Sequence, residues 1–321
     1  MNKVAVIGIG NLGLRHLESL INSKMNLEIF GLDPSVKAIQ KAKDYTSEIN
    51  YDEKLISIKF IFSIEELPKN IDLVIVSTNS NIRLKVVNNL LLNSKIKYLV
   101  LEKVLFQKLK DYEDCNTLLE NNNVITYVNC PMRSYKIYNK IKSLIDKSSK
   151  IEMFVSGGDW ALGCNSIHYI DLFSFLNNSS INTCDLYLDK EIISSKRDGF
   201  IEFTGKLKIT HDESSLLLTS IKDKSTEKVI KIYSKDNLFI LNENSGIFEH
   251  YIGNKKIYND SFNIPYQSEI TKVFASDLFN TGKCQLPTYK ESMELHIIII
   301  KELINFVKSN VDSKLDHIDI T

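Results

Sequence analysis

The sequence predicts an α/β protein: an N-terminal doubly wound parallel sheet, then an α+β domain with an open, mostly antiparallel sheet. Three observations carry this. A short apolar strand, Val4–Ile7, runs into Gly8-x-Gly10-x-x-Gly13 and at once into a helical pattern. Apolar strand runs then alternate with helical stretches up to about residue 125. From Cys184 to Ile252 the chain changes to successive strands of period-two alternation.

Each element follows from its residues. Strands read at Val4–Ile7, Leu27–Leu32, Ile58–Phe62, Asp72–Ser77, Tyr98–Leu101 and Val124–Val128, all near-continuous apolar runs. Such runs suit strands covered by helices on both faces. Helical stretches such as Ile82–Leu92 and Tyr112–Glu120 lie between them. The first βαβ unit has the form of a Rossmann dinucleotide site. Gly8 lets the chain turn tightly off the strand, Gly10 lets the backbone approach a pyrophosphate, and Gly13 lets the helix pack on the strand. Asn11 and Leu12 open that helix, whose N–H groups and partial positive charge suit phosphate. Asp33, at the end of Leu27–Leu32, is an acceptor for the hydroxyls of the adenosine ribose. A carboxylate there favours NAD over NADP, because it repels a 2′-phosphate; Lys37 and Lys41 nearby soften that preference.

After residue 130 a helix reads at Tyr135–Ile145, a strand at Ile151–Val155 and a helix from about Ser166 to Leu176. Strands follow at Phe200–Ile209, Ser215–Ile221 and Lys228–Tyr233. Turn signals stand at Asp212-Glu213, Asp236-Asn237 and Asn244-Ser245-Gly246. Helices return at Gln267–Asn280 and Tyr289–Ser309, with a loosely held tail after about Val311. At 321 residues the chain suits two domains, read as 1–125 for the dinucleotide and 126–321 for substrate and oligomer contacts.

Composition narrows the partners. Lys+Arg and Asp+Glu stand at 40 each, which gives no electrostatic reason for a nucleic-acid or anionic-membrane partner. The five cysteines show no CxxC pair, so a reducing compartment is expected and a structural zinc is not. The longest apolar run near the C-terminus, Ile297 to Ile300, is too short to span a bilayer, and the chain starts directly at its first strand. A cytoplasmic protein with no metal follows. The strand-rich second half predicts a homo-oligomer.

Three further segments carry candidate chemistry. Thr78 and Asn79 end the fourth strand, where ligands of doubly wound sheets sit; a helix cap is the plainer role for Asn79 or Ser80. Glu102 and Lys103 close the fifth strand at the same edge, and a lysine there can stabilise charge developing on a substrate oxygen. His168 and Asp171 stand three apart on one helix face, a histidine and carboxylate suited to moving a proton. Of the other histidines, His296 reads as packing, and His211, His250 and His317 as surface.

These residues resemble the Gfo/Idh/MocA family of nicotinamide-dependent oxidoreductases, over nearly the whole chain. The glycine motif continues into Leu14-Arg15-His16-Leu17. Thr78-Asn79-Ser80 is similar to the family's Thr-Pro-Asn turn, and Glu102-Lys103-Val104 to its Glu-Lys-Pro motif. Val128-Asn-Cys-Pro-Met-Arg133 resembles the exit from strand six, Gly157-Gly158 with His168-x-x-Asp171 the family's second motif, and Leu286-Pro-Thr its C-terminal end. The resemblance implies NAD, a sugar-like small-molecule substrate, and a lysine and histidine at the site of hydride transfer. Glu102 and Lys103 are then expected at the cofactor. Two departures stand out: Val104 replaces the proline, and Cys164, beside Asn165, replaces an aspartate that many members carry.

The expected reaction is oxidation of a secondary alcohol. Lys103 bonds the reacting oxygen and His168 moves the proton, held by Asp171. Arg133 either meets an anionic group or forms a structural ion pair. Trp160 either faces a sugar ring or fills the core, and Asn165 orients a hydroxyl. The alternatives are an epimerase or lyase with tightly held NAD, and a non-catalytic NAD-binding regulator.

Overall fold

Strand β1 (Asn2–Ile7) leads into helix α1 (Asn11–Ile21) through the glycine turn. The chain then alternates β2 (Leu27–Leu32), α2 (Val36–Ser47), β3 (Ile56–Ile61), β4 (Asn70–Val76), α3 (Ser80–Asn93), β5 (Lys95–Leu101), α4 (Leu109–Asn121) and β6 (Ile125–Val128). The six strands form one sheet in the order β3-β2-β1-β4-β5-β6, every pair parallel. The order reverses between β1 and β4, and in such sheets ligands bind outside the carboxyl ends of the strands at that point. The central strands are buried on both faces: Val4, Ala5, Val6, Leu73, Val74, Ile75, Leu99 and Val100 are shut off from solvent. That burial explains their unbroken apolar runs.

The computed structural model describes residues 1–146, 148–179 and 181–321. They divide into two compact units. The first holds Met1–Phe106, Lys110–Asn129 and Pro265–Lys290; the second holds Gln107–Leu109, Cys130–Ile264 and Glu291–Thr321. The second unit contains α5 (Lys136–Leu144), β7 (Glu152–Gly158), α6 (Leu162–Asn177), β8 (Thr183–Leu188), β9 (Ile193–Ser194), β10 (Ile201–Glu202), β11 (Gly205–His211) and β12 (Ser214–Ile221). It continues with β13 (Val229–Ser234), β14 (Asn237–Asn242), β15 (Ile247–Ile252) and β16 (Lys255–Ser261). Helix α7 (Gln267–Thr281) belongs to the first unit, and α8 (Tyr289–Asn310) starts there and continues in the second.

The second unit's large sheet runs β16-β15-β14-β13-β7-β12-β11-β8. Every pair is antiparallel except β7 with β12. Leu216 and Leu218 are buried while their neighbours in β12 are not, the alternation of a sheet packed on one face.

Four expectations are corrected here. The stretch read as one strand, Phe200–Ile209, is two. Gly205 breaks it at φ +117, a conformation glycine adopts freely, and a Cβ there would lie 2.6 Å from Tyr187 O. Helix α6 begins at Leu162, a turn earlier than read, so Cys164 and Asn165 lie in its first turn. The C-terminus is not loose: Ile201 N donates to Asp319 O at 2.8 Å, Ile318 N to Gln107 O at 3.1 Å, and Ile318 and Ile320 are buried. His250 is not surface; it is buried and stacks on Phe239 at 4.5 Å between ring centroids. Its neighbours are polar in sequence, but its own side chain lies on the packed face.

Candidate active site

The glycine turn is built by exclusion of side chains. Gly8 sits at φ +86, and a Cβ there would lie 3.0 Å from Thr78 N. A Cβ on Gly13 would lie 2.1 Å from Gly8 O, inside the backbone itself. A Cβ on Gly10 would meet nothing within 4 Å, so Gly10 faces open space. The Ser77 hydroxyl donates to Gly8 O at 2.7 Å and ties the turn to the end of β4. Helix α1 starts at Asn11 with Gly10 as N-cap and no side-chain cap. Its first N–H groups and positive dipole end therefore stand at the open side of the turn, the arrangement that binds phosphate.

A cavity of about 520 Å³ opens on this turn, lined by Gly8, Gly10, Asp33, Thr78 and Asn79 together with Phe62, Ile64 and Ile82. The Asp33 carboxylate is fixed there. Its Oδ2 accepts from Ile9 N at 2.8 Å and its Oδ1 from Ser35 N at 2.9 Å. Each oxygen keeps a further lone pair for a ligand hydroxyl. Asn79 is the N-cap of α3 and makes no side-chain cap bond. Asn11 accepts from Lys41 Nζ at 3.0 Å, which holds a cation beside the start of α1. An open glycine cradle, an uncapped helix start and a fixed carboxylate in one cavity fit an adenine dinucleotide.

Glu102, expected at the cofactor, is buried instead. Its Oε1 accepts from Asn129 Nδ2 and lies 2.9 Å from His16 Nε2, and His16 Nδ1 lies 2.8 Å from Thr271 Oγ1. Burial pushes the Glu102 carboxyl up, but the hydrogen bonds from His16 and Asn129 outweigh it and hold it below the usual carboxylate range. Lys103 follows at once, half-buried, and the Lys103–Val104 peptide is cis.

In the second unit, Asp171 lies wholly buried on α6, and both its oxygens accept from Arg133, Oδ2 from Nε at 2.9 Å and Oδ1 from Nη2. Arg133 therefore forms the ion pair, through Nε and Nη2. Glu291 at 3.8 Å and the Phe175 ring at 5.6 Å complete its surroundings. Burial raises the Asp171 carboxyl to about 6, against the opposing pull of Arg133. His168 is half-buried one turn before Asp171. Trp160 donates from Nε1 to Thr219 O at 2.9 Å and meets Tyr169 edge-on. Asp159 and Ala161 on either side of it hold left-handed φ values of 35° and 61°. Asn165 spends its amide on Trp160 O at 2.9 Å. The first turn of α6 is capped by Glu202, which accepts from Gly163 N at 2.7 Å and Cys164 N at 3.1 Å.

Residues 2–130 match the model of an oxidoreductase family with an NAD-binding Rossmann fold, GFO_IDH_MocA. This match shows a likeness to that family over this segment alone. No curated protein matches the chain in sequence. Solved structures match it in fold. An oxidoreductase from Agrobacterium radiobacter in complex with NAD+, L-tartaric acid and magnesium has a TM-score of 0.70 at 12% identity, covering 93% of this chain and 94% of the other. The UDP-N-acetylglucosamine 3-dehydrogenase of Acidithiobacillus ferrooxidans has a TM-score of 0.69 at 11% identity, covering 97% and 98%. A super-repressor mutant of Gal80p from Saccharomyces cerevisiae has a TM-score of 0.72 at 16% identity, covering 97% and 98%.

Within the matched segment, sequence reasoning missed the anchors of the two motifs. Ser77 was readable only as part of a strand end, and His16 only as part of the motif's continuation. Glu202, in the second unit, carried no signal at all, since its partners lie 38 and 39 residues away.

Proposed function

We propose that the protein is an NAD-dependent oxidoreductase acting on a secondary alcohol of a sugar, sugar nucleotide or related polyol. The observation that carries this reading is the cavity at the glycine turn, where Gly10 faces open space and the carboxylate of Asp33, held by Ile9 N and Ser35 N, lines the same wall. Asn11 and Leu12 receive the phosphates on the helix start, and Asp33 accepts the ribose hydroxyls and disfavours a 2′-phosphate. The chemistry the cofactor supplies is acceptance of a hydride from a C–H bond. Lys103 donates a hydrogen bond to the reacting oxygen and steadies its charge, while His168 takes the proton. Asp171 and Arg133 act as one buried pair that fixes α6 behind His168. Trp160 and Asn165 shape the segment before His168, with Trp160 presenting an apolar face to substrate.

The five cysteines are all free thiols, which supports work in the reducing cytoplasm. The solvent face of the second unit's sheet, around Phe154, Val229 and Tyr233, supports pairing into a homo-oligomer.

The test is a screen of sugars, sugar nucleotides and polyols with NAD, following NADH absorbance, beside calorimetry of both nicotinamide cofactors. A steady rise with one substrate class supports the dehydrogenase. Product without a rise supports an epimerase or lyase that keeps its NAD. The Cys164 position and the likeness to Gal80p favour one rival: heat from NAD with no hydride transfer to any substrate points to a non-catalytic regulator. No heat from either cofactor ends the reading.

A further inference from the structure

Arg83 is a buried arginine that donates to three backbone carbonyls. It lies on α3, only 1% exposed. Its Nη1 donates to Leu105 O at 2.7 Å and to Val104 O, and its Nη2 donates to Thr78 O. All three carbonyls belong to segments without helix or strand structure: two follow Lys103, and the third lines the cofactor cavity. Burying a guanidinium is costly, and main-chain carbonyls repay it only through close hydrogen bonds. The same three carbonyls would otherwise depend on other donors, since no ladder supplies them at that edge of the sheet.

Lys103 stands between two anchors. On its N-terminal side, Glu102 is held by His16 and Asn129. On its C-terminal side, Val104 and Leu105 are held by Arg83. Only the second anchor also grips the cavity wall, at Thr78. A shift of the Thr78–Asn79 segment on filling the cavity therefore reaches the residues after Lys103 through one rigid, planar group. The fork geometry matters, because a lysine ammonium cannot serve two segments with the same fixed spacing.

We infer that Arg83 is a positioning residue that sets the Lys103 amine relative to the cofactor cavity. This rests on the reading of the cavity as an NAD site and of Lys103 as the residue beside the reacting oxygen. Arg83 touches neither cofactor nor substrate; it acts through the backbone of Val104, Leu105 and Thr78.

The experiment measures the Lys103 amine directly. The protein is trace-labelled with acetic anhydride, with and without saturating NAD, and acetylation at Lys103 is read by peptide mass spectrometry. NAD affinity is measured by calorimetry on the same samples. In the unmodified protein NAD is expected to change the Lys103 labelling rate by about tenfold, within the range that small displacements of a catalytic group produce. In Arg83→Ala this change is expected to vanish while the NAD dissociation constant stays within about threefold, because the glycine turn and Asp33 are untouched. Added guanidinium is expected to restore it. Should Arg83→Ala fail to fold, Arg83→Lys is used, which keeps the charge but not the fork; the NAD response of Lys103 is again expected to be lost.

An unchanged NAD response at Lys103 in the folded variant overturns the inference. So does a response lost together with NAD affinity and not restored by guanidinium, which marks a merely structural arginine. If the unmodified protein binds NAD but Lys103 does not respond, the assignment of Lys103 fails along with the inference. If it gives no heat with NAD, the cofactor reading fails first.

Discussion

His16 Nε2 lies 2.9 Å from Glu102 Oε1, with both side chains buried. This contact joins the helix that follows the glycine turn to the strand end that precedes Lys103. It explains why the first unit can hold two motifs, 86 residues apart, in one rigid arrangement. Helix α7 completes it through Thr271 and Gln267.

Breaking that contact is costly. Glu102→Leu leaves His16 and Asn129 without their acceptor and is expected to lower stability by about 3–5 kcal/mol. Glu102→Gln keeps an acceptor and is expected to lose less. Urea unfolding of the two variants checks this; equal losses would mean that the carboxylate charge, not the hydrogen bonds, is what holds the site.

The three glycines are expected to fail differently. Gly13→Ala forces a Cβ to 2.1 Å from Gly8 O, so the turn must open, and both stability and NAD affinity fall. Gly10→Ala meets no protein atom within 4 Å. It is expected to keep stability within about 0.5 kcal/mol, as an unstrained substitution does. Its NAD affinity is expected to fall by about tenfold or more, since the methyl occupies the space of the pyrophosphate. A Gly10→Ala protein that binds NAD normally would show that the cradle is not where the phosphates rest.

Asp33 serves both the protein and its cofactor. Asp33→Ala removes the acceptor of Ile9 N and Ser35 N and is expected to cost about 1–3 kcal/mol of stability. It is also expected to weaken NAD binding by about 1.5–3 kcal/mol, the range for a hydrogen bond to a charged group. Calorimetry with NAD and NADP checks the second effect, and the preference for NAD is expected to shrink.

Asp171 is expected to give stability a pH dependence of definite sign. Burial raises its carboxyl from 3.8 to about 6, so the folded state holds a proton that the unfolded chain has released. The contribution is fully present below about pH 4 and is lost as pH rises through about 6; by linkage it is on the order of 3 kcal/mol. Asp171→Asn, whose amide does not titrate, is expected to flatten that interval in denaturation measured from pH 4 to pH 7. An identical slope in the variant would assign it to another group.

The sequence by itself determined the first unit's order of strands and helices, the glycine turn and the acid at the end of β2. These are local signals: an apolar run long enough for a buried strand, glycines where no Cβ fits, and a carboxylate one strand away. The alternation of the later strands was also legible, because period two marks a sheet packed on one face. What only the tertiary structure decided are the partners. Glu102 reads as a polar strand end until His16 and Asn129 are seen beside it. Asp171 reads as a partner for His168, three residues away, yet its oxygens go to Arg133, 38 residues away. Pro265–Lys290 returns to the first unit because α7 completes a polar contact on α1, where Lys272 N donates to Ser19 Oγ. A buried charge must find a donor or counter-charge wherever the fold brings one, and that choice depends on distances in space that sequence spacing does not encode.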